Sequence, residues 1–234
     1  MTDSSEDYSQ YGVTRALFDA WRSPRLGDHN PTRMTNPVWE WLIRTQHTGF
    51  IATEMIGGPS PFDAGPCWSF HRYGQTCTTL ADGHRIYIAG EHEDFYDPDF
   101  CIYNDVVVDA PDGTIEIYGY PRYIFPPTDF HSATLVGSQI ILIGNLGYQA
   151  ERKPGVTQVL SLDLDSLAVT PWITSGDMPG WIHGHQSFLE GEGRSIRVTG
   201  GKIVRQRGKR FRNNRYDWRL WVNDGVWEQI EHGG

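Results

Sequence analysis

Lysine is nearly absent: the 234 residues include three, against 17 arginines. Cysteine is as scarce, and Cys67, Cys77 and Cys101 are an odd set with no Cys-x-x-Cys spacing, which argues against a disulfide framework and a zinc ribbon. No stretch approaches the ~20 consecutive apolar residues that a membrane helix requires. The opening Met1 to Gln10 has acids and hydroxyls but neither a basic start nor an apolar run, so no secretory or transit signal is visible and a reduced cytoplasmic interior is the expected location. Gly-x-Ser-x-Gly, His-Glu-x-x-His, phosphate-loop and dinucleotide fingerprints are all missing.

What the chain has is turn chemistry and aromatic bulk, with 26 Gly, 14 Pro and nine Trp. Glycine supplies positive φ and proline presets turn geometry, so this mixture predicts many short strands joined by tight turns and an all-β fold. The first 66 residues differ. Val13 to Trp21 spaces Val13, Ala16, Leu17, Ala20 and Trp21 for a short amphipathic helix. Asn36-Pro37 then offers a cap and first-turn proline for a second helix over Val38 to Ile51. Gly57 to Pro66, with Gly, Pro or Ser at seven of ten positions, reads as the boundary of a main domain over 67–234.

That domain repeats three times, about 67–121, 122–178 and 179–234. The units open at Gln75-Thr76, His131-Ser132 and His185-Gln186, 56 and 54 residues apart. Each continues into an apolar strand ending in glycine, at Gly90, Gly144 and Gly200-Gly201. A third strand follows (Tyr103 to Val108, Gln158 to Leu162, Trp218 to Val222), then a polar turn and a fourth (Thr114 to Tyr118, Leu167 to Trp172, Val226 to Ile230), with Asp112-Gly113 and Asp224-Gly225 as hairpin turns. Four strands per ~55 residues match a β-propeller blade.

Phe130-His131-Ser132-Ala133, Gly184-His185-Gln186, the diglycine Gly200-Gly201, Tyr103-Asn104-Asp105-Val106, and the late aromatics Trp172 and Trp227 resemble the kelch family of repeats. The resemblance implies a kelch-like β-propeller of three four-stranded blades, a half-propeller preceded by a short helical segment. Propellers close with four to eight blades. Three therefore imply a homodimer or other homo-oligomer, a cap made by residues 1–66, or a place in a larger ring.

Three constellations attract functional readings. Lys202 to Arg219 holds eight cations against Asp217 alone, leaving 12 bases and 28 acids, or −16, on the rest of a chain of net charge −9. Such a body repels a polyanion and disfavours nucleic acid, whereas guanidinium groups pair readily with carboxylates of an acidic protein partner. The candidate partner-binding residues are Arg205, Arg207, Lys209, Arg210, Arg212 and Arg215, with Trp181 and His183 from a Gly-flanked loop. The acidic loop Glu91, His92, Glu93, Asp94, followed by Asp97 and Asp99, and the repeat-equivalent Asp129, His131, His183 and His185 form a candidate set for a divalent metal. In kelch blades the polar opening residues, here His131 and His185, bond neighbouring blades, so no cofactor is expected. The expectation is a non-enzymatic protein-binding module; the alternative is a metal-dependent enzyme with a His/carboxylate site.

Overall fold

A computed structural model of the chain describes residues 8–92, 94, 96–205 and 210–230. Four helices lie between residues 15 and 64. Helix α1 (Arg15–Trp21) is capped by Thr14, whose hydroxyl accepts from the Leu17 N–H at 3.2 Å. It buries Phe18, while Ala16 and Ala20 of the expected apolar stripe stay exposed. Helix α2 (Pro37–Thr45) starts where expected, with Asn36 accepting from the Val38 and Trp39 N–H groups, both at 3.1 Å.

The single helix expected to run to Ile51 is broken. Gln46 turns left-handed (φ 61°), and Thr48 caps a new helix α3 (Gly49–Ile56) by accepting from Ile51 N–H. The break lets Gly49 approach Cys67 so closely that a Cβ there would lie 2.7 Å from the Cys67 Cβ. Helix α4 (Pro61–Ala64) is a single turn within the expected linker.

The remainder is mostly antiparallel sheet with polar turns and a 3-10 helix, Gln149–Glu151. The first sheet contains β2 (Thr76–Thr79), β3 (Arg85–Ile88), β6 (Asp105–Asp109) and β7 (Ile115–Gly119) as neighbours in chain order, and β1 (Thr32–Arg33), from the amino-terminal segment, joins beyond β7. The short pair β4 (Glu91–His92) and β5 (Cys101–Ile102) lies between β3 and β6 in sequence. The second sheet is the meander β8 (Ser132–Val136), β9 (Gln139–Ile143), β10 (Val159–Asp163) and β11 (Val169–Pro171).

The third sheet repeats the plan with β14 (Gln186–Glu190), β15 (Ser195–Thr199), β18 (Asp217–Trp221) and β19 (Val226–Ile230), with β12 (Ser175–Gly176) parallel along β19. A separate three-stranded sheet joins β13 (Ile182–His183), β16 (Lys202–Val204) and β17 (Phe211–Asn213). The strands expected from the repeat are present, displaced by at most two residues at most ends, and the two small sheets are additions that the repeat did not indicate.

Side-chain alternation along each strand decides how the sheets pack. In β6, Val107 turns toward the helices, where Trp39, Trp41, Leu42, Trp68, Tyr103 and Ile117 form one cluster; Val106 and Val108 turn toward the second sheet. In β9, Ile140 and Leu142 meet the first sheet, and Ile141 and Ile143 meet Ile196, Val198, Trp218 and Leu220 of the third. The second sheet is thus covered on both faces, which explains its unbroken apolar run. The far face of the third sheet is ionic instead: Arg197 pairs with Glu190 (3.4 Å) and Asp217 (3.5 Å), and Arg219 with Glu228 (2.7 Å).

The first strands of the three sheets face one another through polar contacts at the repeat spacing. His131 Nε2 lies 2.9 Å from Thr76 Oγ1, His185 Nε2 lies 2.9 Å from Ser132 Oγ, and Thr134 and Ser187 hydroxyls are 2.6 Å apart. These contacts require the glycines that end the second strands. Gly144 has φ 79°, and a Cβ on it would fall 2.4 Å from the Ile182 carbonyl oxygen and 2.6 Å from His185 Cε1. No L side chain fits that close approach.

A candidate functional site where the inter-sheet loops meet

In every sheet a loop leaves after the second strand, and the three loops come together. The first carries Glu91, the second Leu146, Gly147, Tyr148 and Arg152, and the third the β16–β17 hairpin. Tyr148 accepts from Ile102 N–H at 2.9 Å, and Arg152 places its guanidinium 5.4 Å from the Phe211 ring centre. Trp181 donates its indole N–H to the Leu146 carbonyl at 3.0 Å. Read from sequence as a displayed binding residue, Trp181 is 5% exposed and acts as a clamp between segments.

Within this cluster the Glu91 carboxyl is hydrogen-bonded to that of Asp129. Asp129 is fully buried; its Oδ1 accepts from Gly147 N–H at 2.6 Å, whereas Oδ2 meets no N–H or hydroxyl donor among the described residues. Two carboxyl oxygens can touch only if one carries a proton, so the pair holds one in common. Burial, together with Asp129 and then Asp94, pushes Glu91 up to about 8, with Arg152 opposing; burial also raises Asp129. One shared proton and the nearby Arg152 leave the trio close to neutral.

The pair has a consequence for stability. Glu91 ordinarily titrates near 4.5, so its raised folded value stabilises the protein fully below that point, and the contribution is lost as pH rises through about 8. Because Glu91 is half-exposed, a loss of only about 1–2 kcal/mol is expected between pH 6.5 and 9. Urea titrations of the wild type and Glu91→Gln will measure it: the variant should lack this alkaline loss, and equal losses in both would refute the shared proton.

The other proposed metal ligands are dispersed. His92 is half-buried in β4, its protonation disfavoured by burial and by Arg72; Asp94 is exposed and accepts from Tyr96 Oη at 2.5 Å. Glu93 lies outside the described residues. His131 and His185 are buried between sheets, with Nε2 engaged by the hydroxyls given above. Burial holds them neutral, His131 down to about 3 and His185 to about 4. Among the described residues no group of three or more His, Cys, Asp or Glu is placed to hold a metal ion.

His183 stands apart from those two. Its ring is held edge-on between Phe130 (6.4 Å) and Phe211 (5.3 Å), and its Nε2 is buried without a hydrogen-bond partner among the described residues. Burial, then Arg152 and Lys202, lowers its protonation to about pH 4. It lines a cleft of about 520 Å³ with Phe130, Leu146 and Lys202. Phe130 adopts φ 48°, which is uncommon for a bulky residue and is fixed by hydrogen bonds to Gly74 O and from Gly184 N–H.

Along the same hairpin, Arg205, Arg212 and Arg215 line a groove of about 450 Å³ with Ile203, Asn213 and Tyr216, and Asn213 also lines the cleft. None of these three arginines, nor the exposed Arg210, forms an ion pair among the described residues. Arg207 and Lys209 lie outside the described residues. Sequence reasoning missed Arg152, Phe130 and Phe211. The repeat register held a signal for Arg152, because its loop occupies the same place after the second strand as the acidic and basic loops.

Fold and site together define a mostly sheet protein, consistent with an all-β class, whose α-helices precede residue 67 and which, among the described residues, carries a loop face with exposed arginines that form no ion pair. No protein-family model matches the chain, and no curated protein matches it. Among the described residues, no helix is long and apolar enough to cross a membrane.

Proposed function

We propose that the chain is a non-enzymatic protein-binding module that takes an acidic segment of a partner protein into the Arg205–Arg212–Arg215 groove. In this reading the three meanders are blades of a kelch-like propeller. Three consecutive four-stranded antiparallel meanders, the first and third extended by a fifth strand and all joined at their first strands by polar contacts at the repeat spacing, support it. The observation that carries the function is the groove itself: three arginines line it and no described lining residue is a carboxylate, on a chain of net charge −9. Guanidinium planes match carboxylates in bidentate geometry, so an acidic peptide supplies what the groove lacks.

A metal-dependent enzyme is the competing reading, and it rests on Glu91 and Asp129, the candidate ligands that do meet. Arg152 and the shared proton already balance that pair. The arrangement therefore supports binding better than metal chemistry.

Fluorescence anisotropy with labelled hexaglutamate tests the proposal. Binding should weaken as salt rises, since exposed charges are screened over about 8 Å at physiological ionic strength. Arg212→Glu combined with Arg215→Glu should weaken it at least tenfold and leave stability within about 0.5 kcal/mol, as both side chains are exposed. Unchanged affinity in that variant would refute the groove as the site, and tighter binding of single-stranded DNA than of peptide would assign it to nucleic acid.

A further inference from the structure

The arginine groove does not end at the β16–β17 hairpin. Asn213 lines both it and the His183 cleft, while neighbouring residues of β16, Ile203 and Lys202, line one each. The two depressions thus meet at Asn213 and differ in chemistry. The groove is guanidinium-rich, and the cleft is walled by Phe130, Leu146 and the uncharged His183 ring, with Lys202 at its rim.

We propose that the cleft is the anchor pocket for an aromatic side chain of the acidic partner segment, placed beside the carboxylates that enter the groove. This inference rests on the acidic-partner reading of the groove. Three observations carry it. The cleft, at about 520 Å³, has ample room for a Phe or Tyr ring. Two of its lining rings, His183 and Phe130, already pack edge-on at an interplanar angle of 68°, a geometry in which a further aromatic ring packs favourably, and Phe211, which does not line the cleft, backs His183 at 75°.

Gly184 lines it with nothing within 4 Å of where a Cβ would stand, so the space is open on that side. Anchoring by one buried aromatic, surrounded by charged contacts that set orientation, is the usual division of labour in protein interfaces. The left-handed Phe130, held from both sides by backbone hydrogen bonds, keeps the wall in place before the partner arrives.

The experiment compares hexaglutamate with six peptides in which one phenylalanine is scanned through each position, titrated against the full chain. The ratio of the hexaglutamate Kd to that of the best phenylalanine peptide is read within each protein. A ratio of tenfold or more is expected in the wild type. It should fall to about one in His183→Ala and in Leu146→Ala, each of which removes a side chain that lines the cleft, with an unchanged hexaglutamate Kd as the check that the variant is folded.

A wild-type ratio of one at every position, with hexaglutamate still bound, overturns this inference and leaves the groove reading standing. Failure of every peptide to bind overturns both. If free 3-phenylpropanoate binds as tightly as the best peptide, the occupant is a small aromatic acid and the peptide anchor is overturned.

Discussion

Arg72→Met is expected to cost about 3–5 kcal/mol of stability, the largest effect of any single substitution discussed for this chain. Arg72 and Asp105 form an ion pair whose side chains are 0% and 5% exposed, with Arg72 NH2 to Asp105 Oδ2 at 2.9 Å. Trp68 donates its indole N–H to the same oxygen at 2.7 Å. The guanidinium also lies 3.5 Å from the Tyr103 ring centre and 4.8 Å from that of Trp68.

The group thereby joins the segment after the helices to β6. Removing the arginine strands a buried carboxylate, and the penalty is that of an uncompensated charge. Replacing both members, Arg72→Met with Asp105→Leu, removes the two desolvation costs together and should destabilise less than either single change. Urea unfolding of the two singles and the double measures this. A double variant that loses the sum of the single losses would show that the pair is not coupled.

Acid should unfold this protein early, and the cause lies in the seams between sheets. His131 and His185 are 5% and 8% exposed, and burial is the first reason that each stays neutral, to about pH 3 and pH 4, against 6.5 when free. Their folded values are depressed, so the unfolded chain binds more protons in this window. The stability they contribute is complete above pH 6.5 and is lost as pH falls toward 4 and then 3. Each unit of depression corresponds to about 1.4 kcal/mol, which places the combined acid loss at several kcal/mol.

Glu91 acts in the opposite sense at alkaline pH, so stability should peak near pH 6. The urea midpoint measured from pH 4 to 8 should drop steeply below 6. His131→Asn and His185→Asn should each flatten that limb by about one proton, roughly 1.4 kcal/mol per pH unit. An acid limb identical in wild type and both variants would show that other groups control it.

The kind of architecture was legible in the residues. Gly90, Gly144 and Gly201 mark second-strand ends because a Cβ at each would strike the opening segment of its own or the following repeat. Asp112-Gly113 and Asp224-Gly225 mark turns, with Gly113 and Gly225 at φ 85° and 64°. Alternation and turn chemistry are local properties, and local sequence reports them faithfully. The starts of two amino-terminal helices were readable for the same reason, the first from apolar spacing over Val13 to Trp21 and the second from Asn36 and Pro37, since a cap acts within one turn. Their buried faces were not: Phe18 rather than Ala16 turns inward because Trp41, 6.4 Å away ring to ring, belongs to another helix.

The site divides along the same line. Clustering of Arg205, Arg212 and Arg215 is a property of composition and needed only reading. That Glu91 would share a proton with Asp129, that His183 would stand between Phe130 and Phe211 while His131 and His185 serve as struts, and that Trp181 would be buried, were decided by loops from three different sheets meeting in space. Burial, proton affinity and the pairing of distant charges depend on neighbours tens of residues away, and only the tertiary structure supplies those neighbours.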